Sequence, residues 1–319
     1  MIYPIRTIVA GIAELTEQDP VLVSAIRLAE RTGAALHLVH AFELPHLMWD
    51  AYARMGYMDG EALKQYSDNL TARLESCAGS VSSTATVTCH SMAGPSAPMI
   101  EEISRRESAD LVVVGATRHG ALMRVFLGTT AQRVLRSAPA PVLVLRTELP
   151  SHLARVLLTT DLSSFSAGIH EAALDVLETA FEGDTPEMKS MLVVWPGAEL
   201  TPPIRRELLE SVTDEVLAGF LQERRDRGHA VEGLVRYGEP SKEIVAYAEL
   251  WKADLLVVGT HGRPAPKRWI LGSVAEAAVR STPVNVLVIP AAIEEASASG
   301  AYGGGGGADP GTSDRVSDV

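Results

Sequence analysis

Cysteine and positive charge are both in short supply in this chain. Only Cys77 and Cys89 are present, with no close cysteine pair for zinc, and a reduced, cytoplasmic protein is the expectation. Against 40 Asp and Glu there are 28 Lys and Arg, a net charge of −12, which works against non-specific attraction to nucleic acid or anionic membrane. No apolar run approaches the ~20 residues of a membrane span, so no membrane partner is expected. The opening residues run from a short apolar stretch into Glu14 and Glu17 without a small-residue cleavage site, and no secretory leader is expected there. Chemistry is missing too. There is no G-x4-G-K-[ST] loop, no carboxylate pair placed for a metal and no nucleophile beside a base. Catalytic residues and metal ligands are therefore not expected, and binding is favoured over turnover.

What the chain does have is the stretch GTHGRPAPKRWILGSV, directly behind the apolar run Leu255–Val258. Gly259, Gly262 and Gly272 form G-x2-G-x9-G, followed by the hydroxyl of Ser273. The pattern reads as a buried strand, a loop, and a helix that begins near Gly272. Glycines let a backbone approach a ligand. The first amides and positive dipole end of a helix favour an anion, with Lys267 and Arg268 of the loop as further charge. An ordinary glycine turn before a helix is the plain alternative.

The frame occurs twice. Gly94, Gly115 and Gly128 recur 144 residues later as Gly238, Gly259 and Gly272. The strands around them match as well: Leu111–Val114 with Leu255–Val258, and Val142–Leu145 with Val286–Ile289. This is an internal duplication of whole domains, each long enough to bury its own core. The expected boundaries are 1–148 and 152–292, with the glycine-rich remainder 293–319 as a disordered tail.

Periodicity alternates strand and helix in both copies. In the first, strands are expected at Ile5–Ala10, Ala35–Phe42, Thr84–His90, Leu111–Gly115 and Val142–Arg146, with helices at Val21–Thr32, Gly60–Gly79, Pro98–Glu107 and Thr129–Arg136. In the second, strands are expected at Arg155–Thr160, Met191–Trp195, Ala230–Arg236, Leu255–Gly259 and Val286–Pro290. Its helices are expected at Ala167–Ala180, Ile204–Arg227 and Pro240–Trp251, with the last beginning at Gly272. Such alternation implies parallel sheets covered by helices on both faces, with ligands beyond the carboxyl ends of the strands where the winding reverses.

The doubled G-x2-G-x9-G-[ST] frame, closed by a proline and a Val-rich last strand, resembles the universal stress protein family. The resemblance covers nearly everything but the tail and marks a tandem two-domain member. It implies two α/β, doubly wound (Rossmann-like) domains, each a five-stranded parallel sheet of order 3-2-1-4-5. It also implies edge-to-edge pairing of the two domains through their last strands, with dimerisation of the whole chain left open.

The family divides into ATP-binding members and members without nucleotide. In the former an aspartate ends the first strand, the position matched by Asp161. Helix capping is the alternative reading of Asp161. Val194 matches the apolar wall behind the adenine, with Trp195 beside it, and His261 matches a position near the phosphates. The resemblance thus places an adenine nucleotide, ATP with or without Mg²⁺, among Thr160, Asp161, Leu162, Val194, Gly259, His261, Gly262, Arg263, Gly272, Ser273 and Val274.

Departures sharpen the expectation. Pro264 and Pro266 stiffen the second copy's loop. In the first copy Ile12 stands in place of Asp161, and Arg118 replaces the second glycine. The first site is therefore expected to be lost or altered and the second to work. The expected function is a stress-response or regulatory protein holding an adenine nucleotide. The alternatives are a nucleotide-independent scaffold for unidentified protein partners and, further off, a slow ATPase. The segment Leu47–Met58, rich in Met and aromatics, is a further candidate surface for a partner.

Overall fold

The computed structural model describes residues 3–42, 60–82, 84–116, 127–194, 203–260 and 271–290. The Met-rich segment, the tail, Arg118, Trp195 and the loop with His261, Gly262, Arg263 and the two prolines lie outside the described residues.

The first half runs β1 (Thr7–Ile12), α1 (Pro20–Thr32), β2 (Ala35–Phe42), α2 (Gly60–Val81), β3 (Val87–Ala93), α3 (Ser96–Arg106), β4 (Leu111–Gly115), α4 (Thr129–Ser137) and β5 (Val142–Leu145). The second repeats the order: β6 (Arg155–Thr160), α5 (Ser164–Ala180), β7 (Glu187–Val194), α6 (Pro203–Asp226), β8 (Val231–Tyr237), α7 (Pro240–Leu250), β9 (Leu255–Gly259), α8 (Ser273–Ser281) and β10 (Asn285–Ile289).

Local chemistry sets these boundaries. At the start of α1 the Asp19 carboxylate accepts from the Val21 and Leu22 amides at 2.8 and 3.0 Å, while Pro20 occupies the first-turn position where a missing N–H costs nothing. Gly33 ends the helix at φ 70°, a left-handed conformation natural to glycine. Boundaries differ from the sequence reading by up to four residues: β1 and β3 lie later than expected, at Thr7–Ile12 and Val87–Ala93, and two further shifts have local causes. Strand β7 starts at Glu187 instead of Met191, because its first half alternates Glu187 and Lys189 with Met188 and Ser190 and so lacks an apolar run. Helix α5 starts at Ser164 instead of Ala167, because Ser163 caps it by accepting from the Ser166 amide.

The ten strands of the described residues form one sheet, ordered β3-β2-β1-β4-β5-β10-β9-β6-β7-β8. Each half therefore has the order 3-2-1-4-5 and is parallel throughout. Among the described residues the one antiparallel pair is the joint between the halves, where Val142, Leu143 and Val144 of β5 face Val288, Leu287 and Val286 of β10. Covered on both faces, these strands are continuous apolar runs, and each buried Val or Leu contributes roughly 1.5–3 kcal/mol. Asn285 fastens the joint, its Oδ1 accepting from the Arg146 and Thr147 amides at 2.8 and 3.1 Å.

Two cores sandwich the sheet. One joins Leu22 and Ile26 of α1, Leu74 of α2, Ala173 and Val176 of α5, and Leu217 and Leu221 of α6. The other joins Ile100 and Ile103 of α3, Val134 of α4, Ala248 of α7, and Ala278 and Val279 of α8. The chain thus winds first on one face and then on the other, and the reversal lies between β1 and β4 and again between β6 and β9.

Candidate functional site

At the second reversal a cavity of about 580 Å³ opens beyond the carboxyl ends of the strands, a size in the range of small-ligand pockets. Its floor is strand ends: Thr159 and Thr160 of β6, Val258 and Gly259 of β9 with Thr260 just beyond, and Met191 and Val193 of β7. Pro240 and Ile244 of α7 and Ser166 and Ile169 of α5 form walls. The rim is the start of α8, with Gly272, Ser273, Val274 and Ala275.

The polar end is built by two anchors. The Gly272 amide donates to the Thr260 carbonyl at 2.7 Å, and the Thr260 amide to the Ile289 carbonyl at 3.0 Å, so the helix start is pinned to the strand end. Gly272 is the N-cap and supplies no side chain. The first internal bond of α8 runs from the Glu276 amide to the Gly272 carbonyl at 2.8 Å, so the amides of Ser273, Val274 and Ala275 precede the helix ladder. They are available to an anion at the positive end of the dipole. Val274 is 39% exposed, an apolar side chain held at the mouth.

Across the cavity Asp161 leaves β6. Its Oδ1 accepts from the Ser163 amide at 3.0 Å and from the Ser163 and Ser166 hydroxyls at 2.5 Å each, and its own amide donates to Ser166 Oγ at 3.1 Å. The cap itself is Ser163, so Asp161 braces a cap rather than being one. Among the described residues all its side-chain bonds fall on Oδ1, and the residue is exposed at the cavity. Leu162 turns the chain at φ 60°, with its amide held by Thr160 Oγ1 at 3.0 Å.

Of the residues expected from sequence, Thr160, Asp161, Gly259, Gly272, Ser273 and Val274 meet around this cavity. Two do not line it. Leu162 packs instead against the core on the α5 face, and so does Val194. Side chains alternate along a strand, so β7 turns Met191 and Val193 toward the cavity and Val194 away. Gly259, which lines the cavity as expected, also has a packing role. A Cβ there would lie 2.1 Å from Ile169 Cδ1, so the glycine makes room for α5 to settle on the sheet. Ser166, Ile169, Pro240 and Ile244 escaped sequence reasoning. The repeat of Gly94 as Gly238, just ahead of Pro240, was the available signal for the last two.

The first reversal carries a smaller cavity of about 400 Å³, lined by Ile12, Ala13, Val39, Gly115, Gly128, Thr129 and Arg133 among others. Here the sequence alignment needs correcting by one residue. Ile8 pairs with Leu111 and Val156 with Leu255, so the register of the strands makes Ala13, not Ile12, the counterpart of Asp161. The acid is still missing. The only carboxylate on this loop to bond into the fold is Asp19, 5% exposed, which caps α1 and takes the Glu14 amide at 3.2 Å.

The comparisons with known proteins agree with this architecture. The profile of the Universal stress protein family matches residues 4–146 and again 154–290. A universal stress protein of Mycolicibacterium smegmatis is 28% identical over 296 residues, covering 88% of this chain and 96% of that one. One from Mycobacterium tuberculosis is 27% identical over 213 residues, covering 62% of this chain and 68% of its own. Among solved structures, a universal stress protein of Archaeoglobus fulgidus superposes with a TM-score of 0.56 at 19% identity, over 91% of this chain and 97% of that one. A functionally unknown protein of Pseudomonas aeruginosa superposes with 0.64 at 21% identity, over 93% and 98%; both are likenesses of fold. With its profile matched twice along the chain, and the doubly wound order 3-2-1-4-5 repeated in both halves, the chain belongs to the universal stress protein family as a tandem two-domain member.

Proposed function

We propose that this stress-family protein binds an adenine nucleotide, ATP in the first instance, in the cavity of its second domain, and that binding rather than turnover is its work. The observation that carries the reading is the pairing, across one cavity, of an exposed carboxylate with the open N-terminus of α8. The two ends suit the two ends of a nucleotide. The amides of Ser273, Val274 and Ala275 with the Ser273 hydroxyl would take the phosphates. Asp161 would accept from ribose hydroxyls through Oδ2, and Met191, Val193 and Ile244 offer an apolar wall to the base. His261, Gly262 and Arg263 belong to the same reading on sequence grounds. No group of three or more His, Cys, Asp or Glu among the described residues could hold a metal, so a magnesium ion would arrive on the phosphates, as that ion commonly does.

The first domain offers a smaller cavity, Ala13 in place of the acid and Arg133 on its rim. One nucleotide per chain is therefore expected. The test is calorimetric titration of the full chain with ATP, together with mass spectrometry of nucleotide released from the untreated protein. The Asp161→Ala variant should lose on the order of tenfold to a hundredfold in affinity, the range for a lost hydrogen bond to a charged group. Gly262→Val should also weaken binding. Absence of binding in the wild type would favour the scaffold alternative, and two equivalent sites per chain would refute the assignment to the second domain.

A further inference from the structure

We propose that the first domain tunes the phosphate affinity of the second domain's cavity through Arg136, acting on Glu276; the inference rests on the nucleotide reading above. Glu276 stands in the first turn of α8, directly after the residues that rim the cavity. Its charge therefore belongs to the same first turn whose amides would receive a phosphate. A negative charge there supports the helix but competes with any bound anion. Left alone, Glu276 would depress anion affinity.

It is not left alone. Arg136 Nη2 lies 3.1 Å from Glu276 Oε1, and Arg280 Nη2 of the same helix stands 3.8 Å away. Arg136 comes from the last turn of α4 in the other domain. The first turns of that same helix, from Thr129 to Arg133, rim the first domain's cavity. One short helix therefore touches the first cavity at its beginning and answers the anion end of the second at its finish.

The duplication makes the arrangement one-directional. Shifting by 144 residues puts Arg280 in the place of Arg136 and Gln132 in the place of Glu276. Gln132 carries no charge, and its amide donates to the Leu127 carbonyl at 2.8 Å. The second domain thus has no carboxylate to hold back from the first domain's cavity. Neither Arg136 nor Glu276 is among the described residues that line the two cavities, so both are positioning residues that act by charge.

The experiment titrates the full chain at low ionic strength with ATP and, separately, with adenosine. Arg136→Ala should weaken ATP about threefold, the scale of one charge at a helix end or one exposed ion pair, and leave adenosine unchanged. Glu276→Gln should tighten ATP by about as much, and in that background Arg136→Ala should have no further effect. Arg136→Lys should retain most of the wild-type affinity. Raising the salt to about 1 M, where the Debye length is ~3 Å, should shrink all these differences. If the wild type binds ATP and the variants match it, or if ATP and adenosine shift together, the inference fails while the nucleotide site stands. If the wild type binds neither ligand, the reading of the cavity falls and the inference with it.

Discussion

The two domains leave their first strands by different routes to the same helix. Strands β1 and β6 begin 148 residues apart, at Thr7 and Arg155, and helices α1 and α5 end 148 apart, at Thr32 and Ala180. Between those fixed points the second domain needs only Asp161 to Ser163 before α5 begins, whereas the first runs from Ala13 to Asp19 before α1 begins. Pro20 explains why α1 cannot start a turn earlier, since a proline inside the helix would clash with the preceding turn. The consequence is chemical. In the second copy the acid sits at the strand end, exposed to the cavity. In the first it sits at the far end of the loop, where burial pushes the Asp19 carboxyl above its ordinary pKa although three backbone amides oppose the shift. A duplicated fold can thus keep its cavity while the acid is committed to holding a helix start. The same comparison, position by position, predicts where the two copies differ in energy and where they do not.

The largest difference falls on the helix that follows. His170 of α5 occupies the place of Leu22 in α1, and both are completely buried. The imidazole Nε2 meets the Thr159 carbonyl at 3.2 Å, Phe220 packs edge-on with centroids 5.3 Å apart, and Nδ1 has no partner among the described residues. Burial lowers the His170 pKa to about 4, with the nearby Arg224 cation adding to the shift. Unfolded, the same group titrates near 6.5. Between these values the unfolded chain binds a proton that the native chain refuses, so stability falls as pH drops from 6.5 toward 4. The loss should reach on the order of 3 kcal/mol at the lower end. Urea unfolding across this window should show that slope in the wild type and a flatter profile in His170→Leu. An unchanged profile in the variant would mean that another group titrates.

A smaller difference separates Gly259 from Gly115. A methyl at Gly259 would lie 2.1 Å from Ile169 Cδ1, whereas one at Gly115 would lie 3.3 Å from Val21 Cγ2. Gly259→Ala should therefore cost roughly 1–3 kcal/mol as an overpacking change, and Gly115→Ala less than about 1 kcal/mol. Ile169→Val supplies the internal check. Alone it should destabilise by about 0.5–1.5 kcal/mol, but in the Gly259→Ala background it should recover part of the loss, because Cδ1 makes the closest clash while Cγ1, at 3.0 Å, remains. Equal costs for the two alanines would mean that α5 and α1 are seated alike.

These positions also mark how far the sequence could be read. The alternation of strand and helix, with helices on both faces, follows from apolar runs and from the 144-residue repeat, because strands covered on both sides are spelled in Val, Leu and Ile; the strand order comes only from the family resemblance. The glycine frame fixes the back half of each domain, so Gly272 and Ser273 were legible as the helix start. It says nothing about the front half, where the repeat shifts from 144 to 148, and the counterpart of Asp161 was therefore displaced by one residue. The parity of β7 was hidden as well. Glu187 and Lys189 break its apolar run, and nothing in Met191–Val194 says which side faces a ligand. The purpose of Gly259 depended on Ile169, ninety residues earlier in the chain, a contact that no local pattern encodes.

No difference at all is expected at Asp110 and Asp254, which stand 144 residues apart at the starts of β4 and β9. Asp110 Oδ2 accepts from the Arg6 and Thr7 amides at 2.7 and 3.0 Å. Asp254 Oδ2 accepts from the Ala154 and Arg155 amides at 2.7 and 2.9 Å. Each carboxylate ties the start of its domain's first strand to the start of the fourth, holding the register from which the reversal and its cavity follow. Removing either acceptor leaves one partly buried and one exposed amide without that partner, at a cost of about 1 kcal/mol or somewhat more. Asp110→Ala and Asp254→Ala should therefore destabilise the chain equally, within about 0.5 kcal/mol. The Asn variants, which keep an acceptor, should cost less than the Ala variants. Urea unfolding of the four variants measures all of this. An Asp254→Ala cost clearly above that of Asp110→Ala would mean that the joint at β5 and β10 lets one domain brace the other, and the two copies would then no longer be comparable position by position.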